Sequence, residues 1–186
     1  MIKKNKKNKK DFNLMDLTLE WDPHWGWKSR SPNLTIDFVK RHNDKDWNWY
    51  DLSEHRNIKP VNMVEVNFPW DWFHVSFNTN ITMEFVKNHM DKRWDWKGLS
   101  HNKNIGLADI NNNLGLNWDW YFISSNPNVD LDFVKSHINK DWDWCVLSEH
   151  KNIKQKDIED NLHLPWEWDY VSRNPNITKE FLDKHK

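Results

Sequence analysis

The stretch WDWKGLSHNKN, residues 94–104, decides the fold. It opens on two tryptophans one residue apart, a pair that returns seven times with first members at Trp25, Trp47, Trp70, Trp94, Trp118, Trp142 and Trp166. Successive separations are 22, 23, 24, 24, 24 and 24 residues, so fourteen of the fifteen tryptophans belong to one repeated design. A fixed period of this length marks an array of stacked units.

Working outward from the pair, the residue between the tryptophans is Gly26, Asn48, Asp71, Asp95, Asp119, Asp143 or Glu167. All but Glu167 are types favoured at a helix N-cap, which sets the register of a first helix in each unit. The first tryptophan then lies just outside that helix and is expected to staple onto Leu52, Val75, Leu99, Ile123, Leu147 or Val171. Ser53, Ser76, Ser100, Ser124, Ser148 and Ser172 share the face of the second tryptophan and are small enough to admit a neighbouring helix. The helix is expected to stop at His55, Asn78, Asn102, Asn126, His150 or Asn174, with Pro127 and Pro175 following in two copies. Two residues later an asparagine is invariant (Asn33, Asn57, Asn80, Asn104, Asn128, Asn152 and Asn176), a residue that suits a structural turn and tolerates left-handed backbone. A second short helix follows, capped by Thr82 or Thr178 in two copies and ending at His89, His137, His185, Asn113 or Asn161.

Units alternate. Those at 25, 70, 118 and 166 carry an F-V-K-x-H or similar second helix, whereas those at 47, 94 and 142 carry Met or Ile, with Leu-Pro before the next tryptophan in one copy. The predicted architecture is therefore an all-α solenoid of about seven 24-residue helical hairpins, grouped as a 48-residue double repeat. On this alignment the first unit is two residues short, and loss of Trp25 should matter less than loss of Trp94. Residues 25–186 hold the repeats, residues 11–24 form an N-terminal capping half-unit, and residues 1–10 form a flexible basic arm. The final Phe181-Leu182 face, with no further W-x-W to cover it, suggests end-to-end self-association.

Rival folds fail on composition and pattern. Four glycines cannot serve the turns of a β-propeller, and the alternation of a leucine-rich repeat is missing. With 30% charged residues the chain would read as disordered, were it not that each indole can bury roughly 150–250 Å². The net charge of -1 hides six lysines in residues 1–10 (Lys3, Lys4, Lys6, Lys7, Lys9 and Lys10), so the body is acidic and any nucleic-acid contact is confined to the arm. One cysteine, no membrane-length apolar run and no apolar leader predict a soluble intracellular protein.

The runs NPNITKEF (174–181) and WDWCVLS (142–148) resemble the tryptophan-rich tandem-repeat proteins of Mimivirus-group giant DNA viruses, over residues 25–186. Twenty-five asparagines and a single alanine, Ala108, suit such AT-rich coding. The resemblance implies the repeat fold, a viral origin and a place in the host cytoplasm or virion, and brings no catalytic residue with it. Nor does the pattern itself supply an enzyme motif, a cofactor site or a metal site. His42, His89, His137 and His185 interchange with asparagine at a helix end, which is capping behaviour. Cys145 stands where other units place an aromatic and reads as a packing variant. The expected function is a non-enzymatic scaffold for an unidentified protein partner, with nucleic-acid association through the arm as the alternative. Candidate partner contacts are Phe122 and Tyr170, which the helical wheel turns away from the core, and after them Tyr50, Phe73 and Tyr121, for which packing between units is the leading expectation. Lys40, Lys87 and Lys135 recur on second helices, as a basic ridge or merely a solvated face.

Overall fold

The computed structural model describes residues 25–185; the basic arm and the capping half-unit lie outside the described residues. Every unit is a hairpin of two short helices, and there is no strand among the described residues. First helices are α1 (Trp25–Lys28), α3 (Trp49–Glu54), α5 (Trp72–Val75), α7 (Trp96–His101), α9 (Trp120–Ile123), α11 (Trp144–Glu149) and α13 (Trp168–Val171). Second helices are α2 (Ile36–Arg41), α4 (Pro60–Glu65), α6 (Met83–Asn88), α8 (Leu107–Asn111), α10 (Leu131–Ser136), α12 (Gln155–Glu159) and α14 (Lys179–His185). First helices of neighbouring units pack side by side, α3 on α5, α7 on α9 and α11 on α13, giving the all-α solenoid.

The caps fall where the sequence places them. The side chains of Asn48, Asp71, Asp95, Asp119 and Asp143 each accept backbone N–H bonds from the first turn. Glu167 makes no such bond. Thr35, Thr82, Asp130 and Thr178 cap the second helices of odd-numbered units. In even-numbered units the third helical residue, Asn62, Asp109 or Asp157, instead accepts the N–H of the cap residue.

One register needs correction. The first unit's described helix is not short: Trp25 begins α1 and occupies the place of a second tryptophan, so Gly26 is no cap. Trp25 stacks on Phe38 at 6.3 Å and meets Trp47 edge-on at 5.2 Å, as Trp72 does with Phe85 and Trp94. Ser29, four residues after Trp25, is buried like the serines four residues after the other second tryptophans. Trp27 is the misfit, 81% exposed.

Helices this short consist almost wholly of ends, whose backbone groups lack intrahelical partners. Neighbouring units supply the partners. Ser29, Ser53, Ser76, Ser100, Ser124 and Ser148 each accept the backbone N–H of the next unit's cap residue at 2.8–3.0 Å. The buried Asn126 donates its amide to the carbonyls of Ser100, Asn102 and Ile105 in the preceding unit, and Asn78 and Asn174 each do the same to three carbonyls. Asn102 reaches two, and the His55 and His150 rings one each. The invariant asparagines form a parallel ladder: Asn128, for example, donates to Lys103 and Ile105 carbonyls. Left-handed backbone is not the reason for them, since no described non-glycine residue has positive φ.

The first tryptophan closes the preceding second helix. Its indole N–H donates to a carbonyl four or five residues upstream, as Trp47 does to His42, Trp94 to His89 and Trp142 to His137. His89, His137 and His185 donate Nδ1–H to the carbonyl four residues back, and Asn113 and Asn161 donate their amides likewise, which is why the two types interchange.

The alternation has a physical cause. In odd units a second-helix phenylalanine lies stacked on the second tryptophan, and Lys45, Lys92 or Lys140 holds its ammonium 5.2–5.8 Å from the Trp25, Trp72 or Trp120 ring. In even units the phenylalanine is missing, and the lysine's position carries Phe68, Leu116 or Leu164, packed against the core. Phe68 meets Trp49 at 5.1 Å. The final helix follows the odd pattern: Phe181 lies under Trp168 and is buried by its own unit, so it does not form the open apolar face the sequence suggested.

Two outcomes follow for denaturant melts. Trp25→Ala should cost about 3–5 kcal/mol, the usual range for a buried aromatic truncation, and Trp27→Ala should stay within about 0.5 kcal/mol; equal losses would refute the corrected register. Asn126→Ala removes three inter-unit hydrogen bonds, although the Asn102 and Ile105 carbonyls keep those from the Ile105 N–H and the Asn128 amide, and should cost on the order of 3 kcal/mol, while Asn126→His, which restores the rung used at His55 and His150, should cost clearly less.

Candidate interaction face

The ladders and the tryptophans consume the inward surface of each first helix. The residue after the second tryptophan turns outward, and at this position stand Tyr50, Phe73, Lys97, Tyr121, Cys145 and Asp169. Tyr50, Phe73 and Tyr121 are 57%, 51% and 58% exposed. Tyr50 and Tyr121 each touch the next unit, as expected, yet all three rings stay more than half exposed. Tyr50 lies against His74 at 4.8 Å, and Phe73 against Phe77 at 5.8 Å. Tyr121 carries its phenol beside the Asp143 carboxylate, whose hydrogen bond raises the phenol above its ordinary value.

Phe122 and Tyr170, expected to point outward, are half-buried instead. Their position, two after the second tryptophan, faces the seam with the preceding unit, where it meets the residue five after that unit's second tryptophan. Arg30 pairs with Asp51 at 2.8 Å along this seam, and Glu54 approaches His74 at 4.0 Å. Phe77 lies over Gly98, so close that a Cβ there would stand 2.9 Å from the ring. Lys97 lies 5.5 Å from the Phe122 ring, and Arg173 lies 4.7 Å from that of Tyr170. Cys145, a free and half-buried cysteine, raises the Tyr170 phenol above its ordinary value, first through the negative charge of its thiolate form and then through their hydrogen bond. A helical wheel drawn for one helix cannot register this seam, because it belongs to two units.

Phe77 and Gly98 form part of the floor of an open groove of about 400 Å³, with His101, Ser125 and Pro127 around it. His101 Nδ1 and Ser125 Oγ are 2.7 Å apart. Sequence reasoning missed this groove and the exposed Trp27, although Gly98 at a position elsewhere filled by a side chain was its visible sign. It also missed a second exposed row on the turns after the second helices: Met90, Leu114, Ile138 and Leu162, spaced 24 residues apart and 42–48% exposed. Lys40, Lys87 and Lys135 are exposed on α2, α6 and α10. The arm lysines, Lys3 to Lys10, lie outside the described residues. Among the described residues no cluster of three His, Cys, Asp or Glu side chains could hold a metal ion, and no helix is long and apolar enough to cross a membrane.

Among the described residues the surface offers contact area: half-exposed aromatic rings on first helices, an apolar groove edged by the His101–Ser125 pair, and a spaced aliphatic row. In comparisons with protein-family models, curated proteins and solved structures, the chain matches none.

Proposed function

We propose that the protein is a non-enzymatic repeat scaffold that binds a protein partner along its first-helix face. The observation that carries this reading is the row of Tyr50, Phe73 and Tyr121, each more than half exposed at a position that stacking leaves free. Tyrosine and phenylalanine supply large contact area at low cost in side-chain entropy, and protein interfaces are enriched in aromatic side chains. Elongated stacks present extended surfaces of this kind. The W-D-W motifs support placing it with the giant-virus repeat proteins, at work in host cytoplasm or virion. A second reading, nucleic-acid association through the arm, rests on the six lysines of residues 1–10.

The test uses immobilised full-length protein, the Tyr50→Ala/Phe73→Ala/Tyr121→Ala variant and a protein lacking residues 1–10, each exposed to cell lysate with and without nuclease. The triple variant should lose the retained protein, keep its melting temperature and be indifferent to nuclease. Retention by the triple variant would move the site off this face. Retention that nuclease abolishes and that needs residues 1–10 would favour the second reading, and its salt dependence should then have a log-log slope no steeper than about 5, the limit for six phosphate contacts.

A further inference from the structure

We infer that the joint between the fifth and sixth units is proton-sensitive: protonation of His150 breaks the bond from Asn152 that holds the ring in place against Asn126, and so weakens the joint. The two ring nitrogens of His150 have opposite duties. Nε2 lies 3.2 Å from the Asn126 carbonyl and must donate to it. Nδ1 accepts the backbone N–H of Asn152 at 3.2 Å and must be bare. Only one neutral tautomer satisfies both. The imidazolium carries hydrogen on both nitrogens, so Nδ1–H would be driven against the Asn152 N–H. A half-buried donor would then be left unpaired.

The surroundings offer the cation no carboxylate. His150 is only 8% exposed, and the charges acting on it are Lys151 and Lys154 of its own turn, both of which oppose protonation. From the preceding unit it meets the Asn126 carbonyl, which favours the proton but is a single neutral acceptor. From the following unit Asn174 donates to the His150 carbonyl and brings no charge. Burial, first, and then the two lysines hold the folded-state pKa below the ordinary 6.5, against the pull of the carbonyl. An opened joint therefore binds the proton more tightly than the closed one. The stability that neutral His150 gives the joint is fully present above about 6.5 and is lost as pH falls below it, until the folded pKa is reached. The asparagine rungs Asn78, Asn102, Asn126 and Asn174 have no such proton to take up. His55 repeats the arrangement, donating to Ser31 and accepting from Asn57, at the joint between the first and second units.

Amide hydrogen exchange on the full-length protein tests this, at several pH values between about 7.5 and 5.5 and after correction for intrinsic exchange. In the wild type, protection at Asp143 and Asn152 should fall as pH drops below about 6.5, by at most about tenfold per unit, the limit for one proton. Amides held by the Asn78 and Asn102 rungs should keep theirs. His150→Asn should retain the fold and remove the pH dependence at Asp143 and Asn152. An unchanged acid dependence in His150→Asn, or none in the wild type, overturns the inference. Should His150→Asn fail to fold, imidazole NMR on the wild type decides instead. A titration midpoint below 6.5 that coincides with loss of the Asn152 amide signal upholds the inference, and titration without that loss refutes it.

Discussion

The structure depends on side chains of one unit satisfying the backbone of the units on either side of it. A helix of four to seven residues makes few internal hydrogen bonds, and burying its loose carbonyls would cost more than its apolar face returns. Asn126, with its amide against three carbonyls of the preceding unit, settles that debt three groups at a time. Ser100 settles another by taking the N–H of Asp119, and the Trp118 indole another by closing α8 onto the Asn113 carbonyl. These residues are polar, or polar at one end, and inside. The abundance of asparagine in a chain with so few aliphatics is therefore a structural requirement of building with very short helices.

Much of this was readable in the sequence, and the rest was hidden for physical reasons. Caps announce themselves because an N-cap is a local contract between a residue and the turn that follows it, so Asp71, Asp95 and Asp143 could be placed from spacing alone. Asn126 and Asn128 could not be given their roles, because an asparagine in a turn looks the same whether it bonds its own turn or carbonyls some 20–26 residues away. The first unit misled because alignment began at the tryptophan pair. Had it begun at the serine, Ser29 would have put Trp25 in its proper place. Phe122 and Tyr170 were misassigned for a related reason, since exposure at a seam is settled by the neighbouring unit.

The double repeat is likewise a matter of covering one ring. Each second tryptophan presents an indole that must be covered, and the chain alternates between two ways of doing it. A second-helix phenylalanine with an ammonium over the ring serves odd units such as that of Trp120, and an apolar residue two before the next tryptophan serves even units such as that of Trp49. The two solutions occupy different places, so either one completes a unit without disturbing the ladders.

Seen from one end, the ladders have a sense of direction. Each unit turns side-chain amides and the N–H of its cap toward the unit before it, and carbonyls and a serine hydroxyl toward the unit after it. A unit set in backwards would press donor on donor and acceptor on acceptor. The array is thus a one-way lattice, and gene duplication can lengthen it only head to tail. Because every interface is written in the same hydrogen bonds, the copied segment need not start at a unit boundary. A copy of 48 residues, wherever it is cut, restores both the bonding and the alternation, whereas one of 24 keeps the ladder and sets two like units side by side.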